Sequence, residues 1–153
     1  MPPTVTWMLA FAHLLGLGVG LGAVWARGLA LRGAPGRDAL KRAFVADTWW
    51  GMAALLWVST GLARLFMSSE KPLDYYLSNH WFWTKLALFA LILALEVAPM
   101  VALIRWRIAF KRGDTPDTSA AGRYAAISEA QAWLVVFIVL AATAMARGFG
   151  ARY

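Results

Sequence analysis

Four long apolar runs leave this chain little choice of fold. They lie at Val5–Ala30, Asp47–Phe66, Trp81–Ile104 and Ile127–Ala146. About 20 apolar residues in a helix cross a bilayer core, and in lipid a helix satisfies its own backbone. None of the runs alternates with period two, so half-buried strands are excluded. Hydrophobic residues make up 61% of the chain and charged residues 15%, against about 45–50% and about 25% in soluble proteins. In water such a chain would expose large apolar patches. The expectation is an all-α fold, an integral membrane bundle of four transmembrane helices forming a single domain over residues 1–153 (spans 5–30, 47–66, 81–104 and 127–146). A soluble enzyme and a nucleic-acid-binding domain are poor readings. The chain has no cysteine, which excludes disulfide scaffolds, thiolate zinc sites and cysteine nucleophiles.

The first run is not read as a cleavable signal: no basic residue precedes it and it is long for a signal core. The linkers hold the breakers Gly33-Ala-Pro-Gly, Lys71-Pro and Gly113-Asp-Thr-Pro. Pro99 lies inside the third run and predicts a kink. Net charge is +7, and loops 1 and 3 with their helix ends hold ten of the fifteen Lys and Arg. Cations gather in cytoplasmic loops. The expected placement is therefore multi-pass in a cytoplasmic (inner) membrane, with loops 1 and 3 cytoplasmic and both termini outside. Trp residues at the span ends fit an aromatic belt. The partner is the lipid bilayer, not nucleic acid; a homodimer or a larger membrane complex is left open.

Ionisable groups inside a bilayer are costly, so each is a candidate for function. They form two layers. The outer layer holds His13, Arg64, Lys85 and Arg147; the inner holds Asp47, Glu96 and Glu129, with Arg27 and Arg105 close by. Lys85 and Glu96 share a face of their helix, about 16 Å apart along it. Asp47 and Glu96 are expected to pair with inner arginines and fix packing. Glu129 also suits a helix N-terminus. In the outer layer Arg64, Lys85 and Arg147 could snorkel to lipid phosphates; converging on one face, they suit an anionic ligand.

His13 lies about 12 Å into the first run, too deep for an interfacial role. Gly16, Gly18, Gly20 and Gly22 follow it, as two interleaved GxxxG pairs that favour close helix packing. Gly16 and Gly20 share the side of His13, where a flat ligand could lie with the imidazole on its metal. Met8, Met67 and Met145 are soft ligands at matching depth, although Met is usually filler. His80 reads as an interfacial residue.

The stretches AHLLGLGVGLGAVWARGLALR (Ala12–Arg32), DTWWGMAALLWVSTGLARLF (Asp47–Phe66), YYLSNHWFWTKLALFALILALEVAPMVALIRWR (Tyr75–Arg107) and SEAQAWLVVFIVLAATAMARGFG (Ser128–Gly150) resemble a bacterial membrane family, domain of unknown function 2214. That resemblance implies four helices and no particular activity. A more distant similarity is to HemJ-type protoporphyrinogen oxidases and copper-resistance D membrane proteins. It rests on His13 with Gly20, Gly61, Lys85 opening a leucine-rich run, and Glu129. The chain departs from the HemJ pattern at Glu96-Val-Ala-Pro99 and Ser128-Glu129, where that family has Tyr-His and Asn-Glu.

The functional expectation is binding of haem or a related tetrapyrrole in the outer half of the bundle, with redox activity open. His13 would ligate the metal of haem b, with Met145 or Met67 as sixth ligand. Arg64, Lys85 and Arg147 would hold the propionates, and Gly16 and Gly20 would form the wall. The rivals are a porphyrinogen-oxidising enzyme using Lys85 and Glu129, a copper-handling or transport protein, and an accessory subunit of a larger complex with no ligand.

Overall fold

The computed structural model describes residues 2–67 and 72–150. Five helices account for most of them: α1 (Pro3–Leu31), α2 (Arg37–Phe66), α3 (Leu73–Ser78), α4 (His80–Arg112) and α5 (Ala121–Ala146), with no strand among the described residues. Local chemistry sets the boundaries. Pro3 at the first turn of α1 gives up an N–H that would have no helical partner. Asn79 caps α4, its side chain accepting from the Trp81 N–H at 2.9 Å. Gly113, at φ 87°, ends α4 in the left-handed conformation behind Lys111 and Arg112, two cations placed against the helix's negative end.

Three of the helices, α1, α4 and α5, are long and apolar enough to cross a membrane. Four such helices were expected. The difference is α2, which has 30 residues but opens with Arg37, Asp38, Lys41 and Arg42 and later carries Asp47 and Arg64. The helices also outrun the apolar runs at the basic end. Loop 1 shrinks to residues 32–36, because α2 starts at Arg37 and not near Asp47. Likewise α4 continues to Arg112, and α5 begins at Ala121. Once a helix is nucleated, each further residue adds a hydrogen bond, so polar ends stay helical. Helix α4 continues through the buried Pro99.

Helix α1 packs against α2 on one side and α5 on the other, and α5 packs on α4. Helices α2 and α4 meet chiefly through long side chains, as where Trp57 sets its ring edge-on to Phe89 at 5.5 Å. Three apolar clusters fill the interior. The basic-end cluster includes Leu31, Phe44, Leu103 and Trp106; the central one Val24, Trp50, Ile92 and Val135; the outer one Tyr76, Phe82 and Met145. The exterior is apolar too: Leu55, Phe66, Trp7, Leu14 and Leu140 are among many large side chains left exposed. An outer surface of that kind suits lipid.

Candidate functional site

Polar side chains enter the bundle at two levels. At the inner level everything converges on Arg27 of α1, which is 0% exposed. Its Nε donates to Ser128 Oγ at 3.0 Å. Nη1 donates to Asp47 Oδ1 at 2.9 Å and Glu96 Oε1 at 2.7 Å. Nη2 donates to Glu96 Oε2 and to Gln131 Oε1, both at 2.8 Å. A guanidinium has five N–H donors, and here each has an acceptor. The acceptors come from α2, α4 and α5, so one side chain of α1 joins all four long helices. Gln131 completes the set by donating to Glu96 Oε2 at 2.8 Å and to the Ile92 carbonyl at 3.1 Å. Arg107 adds a second cation, its Nη2 reaching Asp47 Oδ2 at 3.3 Å and the Phe44 carbonyl at 2.9 Å. Two arginines face two carboxylates, a composition that makes deep burial tolerable.

Asp47 and Glu96 thus hold helices together, as anticipated. Glu129 stands apart: it accepts from Arg32 Nε at 2.7 Å near the basic end. Gly28 lets α5 approach there, since a Cβ would lie 3.3 Å from Glu129 Cγ and 3.4 Å from the Ala125 carbonyl. Arg105 is exposed and takes no part in the cluster. Ser128 and Gln131 were missed by sequence reasoning. Their signal was present: two uncharged polar residues, three apart on one helical face, at the start of an apolar run.

At the outer level His13 faces α2. Trp57 Nε1–H donates to His13 Nε2 at 2.9 Å. That acceptor role puts the ring proton of a neutral imidazole on Nδ1. Nδ1 in turn lies 3.0 Å from Thr60 Oγ1 and 3.1 Å from the Trp57 carbonyl. Gly61 makes room for the ring, because a Cβ there would come within 3.2 Å of His13 Cε1. Gly16 and Gly20 lie against α2 as well. A Cβ on Gly16 would be 3.3 Å from the Trp57 amide nitrogen, and one on Gly20 would be 3.4 Å from both Ala53 and the Trp50 ring. The side of α1 expected as a shallow wall is therefore covered by helix.

Lys85, early in α4, is half-buried. Its Nζ stands 5.1 Å from the centre of the Phe82 ring and 5.9 Å from that of Tyr76. Arg64, near the end of α2, is close enough for its charge to act on Lys85. No carboxylate among the described residues pairs with Lys85. Arg147, just past α5, is exposed. Met145 is buried against Tyr76 and Phe82, and its carbonyl accepts from the Tyr75 hydroxyl at 2.8 Å. Met8 and Met67 are exposed. His80 packs on Trp81 beside the left-handed Gly150. Among the described residues no three His, Asp or Glu side chains gather in a set that could hold a metal ion.

Apolar helices of spanning length, an apolar exterior and charges gathered at one buried arginine define a helical membrane protein. The chain belongs to the family described as predicted membrane protein (DUF2214), whose model matches residues 5–150. No curated protein and no solved structure matches it. The HemJ and copper-resistance D similarities thus rest on the residues quoted for them alone.

Proposed function

We propose that the chain crosses the bacterial cytoplasmic membrane four times and binds a carboxylate-bearing amphiphile at its outer end, against Lys85 and Arg64. A tetrapyrrole with propionates is the fitting example. Lys85 carries this reading. A half-buried ammonium is costly unless an anion comes near. The ring faces of Phe82 and Tyr76 offset only part of that cost. Exposed Leu62, Phe66 and Leu86 offer apolar surface on the same two helix ends.

Iron ligation fits less well than carboxylate binding. His13 Nε2 already accepts from Trp57, and Gly16 and Gly20 are covered by α2. Haem b would be held through its propionates unless Trp57 turned away. The arrangement gives the porphyrinogen-oxidising alternative little support, because Lys85 and Glu129 sit at opposite ends of the bundle and Glu129 is paired with Arg32. The accessory-subunit alternative shares the apolar exterior but leaves Lys85 unexplained.

Two observations support α2 as the fourth crossing. It packs along the length of α1, from Asp47 beside Arg27 to Trp57 and Thr60 beside His13. In that stretch Asp47 and Thr60 face partners on α1, while the exposed Thr48 and Ser59 bond back to carbonyls of their own helix. The division of Lys and Arg then favours loops 1 and 3 on the cytoplasmic side and both termini outside.

The test is a titration of the purified protein in mild detergent with protoporphyrin IX and with its dimethyl ester. The free acid should bind saturably and the ester weakly. Equal binding of the two would count against a site built on cations.

A further inference from the structure

Gly16, Gly18, Gly20 and Gly22 of α1 divide between two faces, and the outward pair opens a groove. A Cβ on Gly18 or Gly22 would meet nothing within 4 Å. With Ala26 these residues floor a trough of about 500 Å³ on the outside of the α1–α2 pair, walled by Val45 and Trp49 of α2. Its lining also includes Lys41 and Arg42, from the basic end of α2. Arg42 is exposed and has no acidic partner among the described residues. Lys41 meets only Asp38, at 3.4 Å between two exposed side chains, a contact worth little.

An open apolar trough with two cations in its lining matches the chemistry of one kind of molecule. We propose that the α1–α2 groove is a binding site for an anionic phospholipid. One acyl chain lies along Gly18, Gly22 and Ala26, and the phosphate sits at Arg42 and Lys41. A guanidinium offers paired N–H donors to phosphate oxygens, and exposed Trp49 suits the boundary between chain and headgroup. The opposite flank supplies an internal comparison. There the same two glycines, with Trp25, Ala132 and Trp133, line a second trough of about 500 Å³ that has no cation. Shape alone would not distinguish the flanks; charge does. The inference rests on α2 lying in the bilayer beside α1, and it is independent of the outer site at Lys85.

The experiment is native mass spectrometry of the delipidated protein after addition of phosphatidylglycerol or phosphatidylcholine with identical acyl chains. Phosphatidylglycerol should be retained preferentially. Joint replacement Lys41→Gln and Arg42→Gln should cut its retention about fivefold for each charge removed. Gly22→Leu should abolish retention with both cations in place; Ala26→Leu serves instead if that variant does not fold. Equal retention of the two lipids, or retention unchanged by filling the trough, would overturn the proposal. So would a dimer that disappears on Gly22→Leu, because a second copy would then be the occupant.

Discussion

Arg27 and Glu96 meet in a two-pronged pair inside the bundle, Nη1 to Oε1 at 2.7 Å and Nη2 to Oε2 at 2.8 Å. The pair links α1 to α4, two helices that are not close neighbours. Removing only the cation leaves partly buried Glu96 with the neutral Gln131 alone and Asp47 with the longer contact to Arg107. Arg27→Met should therefore cost about 3–5 kcal/mol, read as a lower midpoint of thermal unfolding in detergent. Adding Glu96→Leu should restore much of the loss, since a buried ion pair replaced whole by apolar groups is often neutral or better. An Arg27→Met protein as stable as wild type would remove the network from the account of folding.

The glycines predict a face-dependent response. Gly16→Val pushes against α2 backbone and should cost about 1–3 kcal/mol through overpacking. Gly18→Val points into open space and should change stability by less than about 0.5 kcal/mol. Thermal midpoints measured side by side decide this. A similar loss in both variants would mean that the outer face is also packed in the membrane.

On the proposed reading His13 acts in packing, through its bonds to Trp57 and Thr60. His13→Asn should lower stability by about 1–2 kcal/mol, because Trp57 loses an acceptor in a half-buried position. Porphyrin retention should stay unchanged. Loss of retention in a folded His13→Asn protein would make the imidazole a ligand and require its bond to Trp57 to open.

Crossing by α2 has a direct test, made simple by the absence of cysteine. Single cysteines at Ala34, Ser78 and Ser119 can be probed in whole cells with an impermeant thiol reagent. Ser69, otherwise a natural choice for the outer loop, lies outside the described residues. Label should reach position 78 and not positions 34 and 119. Label at both 34 and 78 would show that α2 does not cross.

Much of the fold was legible because lipid imposes a coarse demand: length and apolarity predict α1, α4 and α5 directly. The grouping of Asp47, Glu96 and Arg27 at one depth was legible for the same reason, since depth follows from residue count. What residue count does not carry is rotation between helices. It could not say that His13, Gly16 and Gly20 all face α2, leaving Gly18 and Gly22 outside. Nor did it reveal Gln131, whose importance comes from the guanidinium across the interface and not from its own segment. The apolar runs do not give the helix ends, because polar residues such as Arg37 and Lys41 lie outside a run and still inside a helix.

The proposed outer site depends most on Lys85, whose half-buried ammonium stands 5.1 Å from the centre of the Phe82 ring and 5.9 Å from that of Tyr76. The deciding measurement is the affinity of purified wild type, Lys85→Gln and Lys85→Arg for protoporphyrin IX, followed by quenching of the porphyrin emission. Thermal midpoints taken alongside confirm that each variant is folded. A charge-assisted contact of about 1.5–3 kcal/mol predicts that Lys85→Gln weakens binding by about tenfold or more. Lys85→Arg should keep most of the affinity, and Glu96→Gln, far from the site, all of it. Unchanged affinity in a folded Lys85→Gln protein would contradict the proposed site.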